Sequence, residues 1–312
     1  MKVAVLCNSD SLVLPSIYHL KTQGLLAGVA IPARSKAFLY QQLLQAGLCH
    51  DEITLIPSQG RTGALEGWVK TTGASAVLVF AFPWKVPAEV LELPQNGFFN
   101  FHFGLLPTYQ GADPVFWQLK NREEKGGFVI HRMTEDIDKG PLVWVEECSM
   151  IPGENYGIYC QRMGMLAMNV LGSFLDKLEN KTLVEKKQAL SPAVFFNKPS
   201  QTDLSINWQI QSSEEIEWLV NAANPKYGGA STTIRNMEVR LLEVAPADVN
   251  NNQQTYEPGT IVYADALYGL IVACKENKFL KINIAQMKEG YVSGSKLFSL
   301  GVKTGEKFIT KY

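Results

Sequence analysis

Asn100 and His102 stand two residues apart in a run of aromatics, Phe-Phe-Asn-Phe-His-Phe over residues 98–103. In an extended chain, residues i and i+2 share a face, so the amide and the imidazole point the same way. An amide can donate a hydrogen bond to an oxyanion, and an imidazole moves a proton near neutral pH. Acyl transfer to an amine needs both tasks, because the carbonyl oxygen becomes negative while the attacking nitrogen sheds a proton. A carboxylate beside the imidazole would hold its orientation and raise its pKa. Asp138, in a turn bounded by Gly140 and Pro141, is the natural candidate. No serine or cysteine nucleophile is required if the amine attacks directly.

One histidine near a strand end is more often structural than catalytic. Here it sits in a longer string: Asn-x-His-x-x-Leu-Leu-Pro over residues 100–107, then Gly111 and Pro114, then Ile137-Asp138-x-Gly140. Parts and spacing together resemble the signature of the folate-dependent formyltransferases. That family includes methionyl-tRNA formyltransferase, glycinamide ribonucleotide formyltransferase and the sugar-amine formyltransferases. The resemblance implies 10-formyltetrahydrofolate as cosubstrate, with Asn100, His102 and Asp138 as the catalytic group. Its Asp-x-Gly pattern selects Asp138 over Asp136, which with Glu135 reads as a solvated turn residue.

The elements that must position these groups follow a regular order. Short apolar runs at residues 2–7, 25–31, 53–56 and 76–82 read as buried strands, and residues 11–23, 36–48 and 62–72 as the helices between them. Strand–helix alternation predicts an α/β fold with a Rossmann-like open parallel sheet, and polar groups at a strand's carboxyl edge are where such sheets place their sites. The first strand runs into Asn8, Ser9 and Asp10 with no G-x-G-x-x-G, which excludes a nicotinamide or flavin cofactor. Leu106-Pro107 ends the strand of Asn100, since proline has no N–H for a ladder.

Phe82, Trp84 and Val86 alternate with prolines after the fourth strand. Such a loop can form a flat slot for a planar ring or merely seal the sheet edge. The resemblance implies the slot. The pterin would lie between this loop and the turn holding Thr134 and Asp136, with Gly104, Leu105, Leu106 and Pro107 also bordering it.

Asp113 and Pro114 read as the N-cap and first residue of a helix to about residue 121, in which Phe116 and Trp117 pack. Residues 127–133 read as a strand, with His131 structural or at the rim. His19 and His50 have no partnering motif. A long helix over residues 156–179 closes the first domain, with Met163, Met165 and Met168 taken as core. Little periodicity marks residues 180–199. The expected division is a catalytic domain over 1–190, a linker over 191–205 and a second domain over 206–312. In the second, a helix at 213–222 and strand-like runs at 229–235, 238–244, 259–263, 269–274 and 279–284 predict a small β-barrel. Asn224-Pro225-x-Tyr227-Gly228-Gly229 and Pro258-Gly259-Thr260-Ile261 resemble the OB-like carboxyl-terminal domain of the tRNA enzymes.

The 312 residues carry 46% hydrophobic and 19% charged side chains, with a net charge of -1, which argues against a strongly basic nucleic-acid binder and leaves room for a local basic patch. Five scattered cysteines form no C-x-x-C pair, which indicates neither a disulfide framework nor a zinc site, and Cys7 and Cys274 read as core. No run has membrane-spanning length, so a cytoplasmic protein is expected.

The formyl acceptor follows from departures. The tRNA enzymes carry a basic loop after the second strand, whereas residues 32–37 hold only Arg34 and Lys36. Residues 206–312 hold 11 lysines and arginines against 11 aspartates and glutamates, a net of zero, which gives phosphate contacts little support. The tRNA enzymes also usually have Ser and Arg where this chain has Gly104 and Gln110. A small-molecule amine such as an amino sugar nucleotide or aminoacyl group is therefore the expected acceptor. The alternatives are methionyl-tRNA and, as a hydrolase, water. Oligomeric state is unreadable.

Overall fold

The computed structural model describes residues 1–189, 194–249 and 254–310. Residues 191–193 of the expected linker and 250–253 of an expected polar turn lie outside the described residues. The chain divides into two compact units. One comprises Met1–Pro114, Glu124–Ser149 and Tyr159–Asn197; the other Val115–Glu123, Met150–Ile158 and Lys198–Tyr312.

In the first unit, the strands β1 (Val3–Cys7), β2 (Leu26–Pro32), β3 (Ile53–Ile56), β4 (Ala76–Phe80) and β5 (Phe98–His102) are parallel neighbours. Every residue of β1 and β4 is buried, as apolar runs covered on both faces must be. Helices α1 (Leu14–Thr22), α2 (Gln41–Gln45), α3 (Arg61–Thr72) and α4 (Ala88–Leu91) fall between these strands. The single helix expected over 36–48 is instead a tight turn at Ala33–Ser35, a wide π turn at Lys36–Tyr40, and then α2.

The sheet is mixed rather than parallel. A short β6 (Gln110–Gly111) and helix α5 (Pro114–Lys120) precede β7 (Lys125–Arg132), which runs antiparallel to β5, and β8 (Leu142–Ser149) runs antiparallel to β7. Strand order is β3-β2-β1-β4-β5-β7-β8. The turn that joins β7 to β8 is too short for the crossover a parallel pair requires. Asp113, expected as an N-cap, has φ +61°, outside the extended region usual for that position. Helix α6 spans Tyr156–Glu179 as expected, with Met163 fully buried, but Met165 is 49% exposed on its outer face. A two-residue β9 (Phe195–Phe196) pairs with β6.

Two faces of β5 do different work. Phe99 and Phe101 pack edge-on against Phe174 of α6, at 5.2 and 6.0 Å between ring centroids. Phe98, on the other face, joins a core with Leu6, Leu65, Trp68, Val79 and Val90. Asn100 and His102 follow Phe98 on this second face.

The second unit contains α7 (Ser213–Ala223), capped by Ser212, whose hydroxyl accepts the Glu215 N–H. It also contains β10 (Ala230–Ile234), β11 (Met237–Ala247), β12 (Ile261–Asp265), β13 (Gly269–Ala273), β14 (Phe279–Met287), β15 (Gly290–Ser293) and α8 (Gly294–Ser299). The strands form one antiparallel sheet in the order β10-β11-β14-β13-β12, with β15 on β14. The segment around Phe308 makes antiparallel bridges from Ile309 to Thr233 and from Lys307 to Thr260. Phe308 and Trp208, each 1% exposed, stack at 5.7 Å, and the Trp208 indole N–H donates to Thr232 Oγ1 at 2.9 Å. Phe308→Ala should cost about 3–5 kcal/mol, the usual penalty for a fully buried aromatic. Denaturant unfolding checks this, and a loss below about 1 kcal/mol would show that the site repacks.

Candidate active site

Strand pairing sets the site. Antiparallel register places His131 directly opposite Asn100, and residues opposite one another share a face. The polar face of β5 therefore meets a second imidazole. Asn100 Nδ2 lies 3.1 Å from His131 Nε2, and His131 Nδ1 lies 3.1 Å from the Arg132 carbonyl. With Nδ1–H donating to that carbonyl, Nε2 accepts from the Asn100 amide, whose second N–H is left for another acceptor. Asn100 is half-buried, whereas His102 and His131 are 5% and 2% exposed.

The turn after β7 brings in the carboxylate. Asp138 Oδ1 lies 3.5 Å from His102 Nδ1 and 3.5 Å from His131 Nε2, and Oδ2 accepts the Gly111 N–H at 2.9 Å. Asp138 itself has φ +56°, a left-handed conformation costly for a residue with a side chain. Gly140 follows because a Cβ there would run into the Arg132 carbonyl oxygen. The Asp-x-Gly spacing is thus a packing demand. His102 Nε2 meets the Tyr109 carbonyl at 2.5 Å, and Tyr109 in turn stacks on Phe196.

Both nitrogens of His102 consequently face acceptors, which favours the imidazolium. Burial opposes it and wins: the His102 pKa is pushed below its ordinary value by desolvation, against the Asp138 carboxylate, with His131 also lowering it and the Tyr109 carbonyl raising it. For Asp138 burial is likewise the largest influence and raises the pKa. Together His102, His131 and the Gly111 N–H outweigh it and leave the carboxyl below its ordinary value. The lowered pKa leaves the ring neutral at pH 7 beside an ionised carboxylate.

The flanking residues divide. Phe82 and Trp84 are part-buried, edge to face at 5.4 Å, and packed on the core, while Val86 is 1% exposed within that core. Gly104 and Leu106 are buried, and Leu105 and Pro107 half-buried. Thr134 and Asp136 are exposed, with Thr134 Oγ1 donating to the Asp136 carbonyl at 3.3 Å. A Cβ on Gly104 would come within 2.7 Å of Pro114 Cβ and 2.9 Å of Tyr109 Cβ, so packing beneath His102 demands glycine here. Gln110 is buried in β6.

Residues 2–175 match the family described as Formyl transferase, and residues 198–300 match its C-terminal domain. The chain belongs to the formyltransferase family. It is a formyl-group-transferring enzyme. It is similar to the methionyl-tRNA formyltransferase of Lachnospira eligens, 27% identical over 281 residues that cover 88% of each chain. Two solved structures share the fold. HypX from Aquifex aeolicus in complex with tetrahydrofolic acid has TM-score 0.69 and 14% identity; the match covers 100% of this chain and 51% of HypX, so this formyltransferase spans about half that protein's length. The N-formyltransferase from Helicobacter canadensis, in complex with folinic acid and dTDP-3-aminofucose, has TM-score 0.64 and 15% identity, with 90% of this chain and 98% of that one covered.

Among the described residues of this formyltransferase, no group of three or more His, Cys, Asp and Glu side chains is set to hold a metal, and no helix is long and apolar enough to cross a membrane. Sequence reasoning missed His131, whose only signal was its register against Asn100. It also missed Gln188, in a segment without periodicity.

Acid should destabilise the fold through both titrating groups. His102 has a folded pKa below its ordinary 6.5, so the unfolded chain protonates first and stability falls as pH drops below 6.5 toward the folded value. Asp138 contributes stability above its unfolded pKa, lost only as pH falls through its lower folded value. His102→Gln should therefore lose less stability than the wild type between about pH 7.5 and 5 in urea unfolding. Parallel pH dependence in the two would contradict the burial of a neutral imidazole.

Proposed function

We propose that this formyltransferase moves the formyl group of 10-formyltetrahydrofolate to a primary amine, using Asn100, His102 and Asp138. The convergence of one amide, two imidazoles and one carboxylate on the face of β5 carries the reading. Folate as donor is supported by the folate ligands named for the two structural neighbours. Phe82 and Trp84 suit a planar ring, and the turn with Thr134 and Asp136 would form the opposite wall. Val86 would support that loop from within the core rather than line it. Gly104, Leu105, Leu106 and Pro107 would border the ring's reactive end.

The amine nitrogen attacks the formyl carbon, forming the new C–N bond, and the oxygen becomes negative. Asn100, held by His131, donates its remaining N–H to that oxygen. His102 takes the amine proton once the Tyr109 carbonyl moves off Nε2, and the charged ring is stabilised by Asp138. The bond from the formyl carbon to the folate nitrogen then breaks, and the proton leaves on that nitrogen. The second unit, whose two sheet edges are joined through the Phe308 segment, is read as an OB-like barrel.

For the acceptor, a small-molecule amine is favoured by the net charge of zero over residues 206–312 and by the short, weakly basic segment after β2. Methionyl-tRNA is the second reading, favoured by the likeness to the Lachnospira eligens enzyme across both units. Formylation assays on amino sugars, their nucleotide conjugates, aminoacyl compounds and charged initiator tRNA should give turnover with a small amine. Efficient tRNA formylation overturns that preference, and formate release without acceptor supports hydrolysis. With the best acceptor, Asn100→Ala, His102→Ala and Asp138→Ala should each lose about two to four orders of magnitude in kcat. Near-normal turnover in His102→Ala removes its assigned role.

A further inference from the structure

The turn that carries Asp138 is gripped from outside by residues 185–188. Gln188 Nε2 donates to the Asp138 carbonyl at 2.7 Å and to the Gly140 carbonyl at 2.8 Å, so one amide group ties together the Asp138–Lys139 and Gly140–Pro141 peptides. Two residues earlier, Lys186 and Leu142 exchange a pair of backbone hydrogen bonds, each 2.8 Å. Before that, Glu185 Oε1 accepts from Arg132 Nε at 2.6 Å. Three neighbouring residues thus hold the end of β7, the turn and the start of β8 in one frame. A left-handed aspartate needs such a frame, because its backbone would otherwise relax.

We infer that Gln188 is a positioning residue for formyl transfer: it fixes the backbone of Asp138 so that the carboxylate meets His102. This rests on the role given to Asp138 above. The contact it sets is sensitive. At 3.5 Å the carboxylate and His102 Nδ1 are at the edge of hydrogen-bond reach, and a small outward shift of the turn breaks the pairing. The charged or titratable groups facing Asp138 are His102 and His131, while Arg132 and Glu185 pair with each other on the flank.

Gln188→Met keeps the length and loses the donors, whereas Gln188→Lys restores N–H groups. Gln188→Met should lower kcat about tenfold to a hundredfold with the donor KM nearly unchanged. The withdrawn carboxylate no longer raises the His102 pKa, so the acid limb of the rate profile moves to lower pH. The His102 ring signals in an NMR titration of the full chain should move the same way, and Gln188→Lys should recover both. In an Asp138→Asn background, Gln188→Met should cost nothing further in turnover.

A wild-type kcat and His102 titration in Gln188→Met overturns the inference, as does a full penalty that persists beside Asp138→Asn. If Gln188→Met does not fold, Gln188→Glu, which repels both carbonyls, takes its place in the same comparison. The titration needs neither donor nor acceptor. A shifted His102 without formyl transfer to any amine would sink the proposed function and leave standing only the positioning of the Asp138 carboxylate by Gln188.

Discussion

A single buried carboxylate holds the site together. Asp138 touches both imidazoles through one oxygen and the backbone of β6 through the other. Burying a charge is costly unless it is paired and hydrogen-bonded, so each of those contacts is compelled by the others. Were Asp138 neutral, His102 would lose the charge that offsets its desolvation, and the Gly111 N–H would keep only a weaker, uncharged acceptor. The left-handed backbone at Asp138, the glycine two residues on and the grip of Gln188 all serve to deliver that oxygen pair to one point.

The protonation pattern follows from competition between burial and pairing. His102 sits with acceptors on both sides yet has a lowered pKa, since desolvation outweighs the carboxylate. Such a ring is neutral at pH 7 with a single N–H, and when it receives a second proton both N–H groups face acceptors. The Tyr109 carbonyl, which completes that arrangement, also covers Nε2, the atom to which the proposed mechanism delivers the amine proton. Stabilising the charged ring and admitting the amine therefore make opposite demands on the segment between His102 and β6.

Much of this was legible in the sequence, for identifiable reasons. Asn100 and His102 were found because an amide and an imidazole alternate along one strand, and Asp138 because the Asp-x-Gly pattern of the resemblance selects it; the structure brings the three together. The buried strands read clearly because they are continuous apolar runs. The direction of β7 and the existence of β8 were not legible: β8 alternates between half-buried and exposed residues, and pairing direction is set by connection length rather than composition. His131 was passed over because its partner lies on another strand, so only the register reveals it. Gln188 gave no periodic signal, since its contribution is two hydrogen bonds to backbone carbonyls and no buried apolar stripe. Of the aromatic loop, Phe82 and Trp84 retain exposed surface, but Val86 belongs to the core, a distinction that alternation with prolines does not encode.

The account turns on one carbonyl group meeting Asn100 beside His102. A crystal structure with a folate that carries a non-transferable formyl group measures this directly. The expected result is a formyl oxygen about 3 Å from Asn100 Nδ2, with the Tyr109 carbonyl displaced from His102. A formyl group bound out of reach of Asn100, with His102 still sealed by Tyr109, would contradict it.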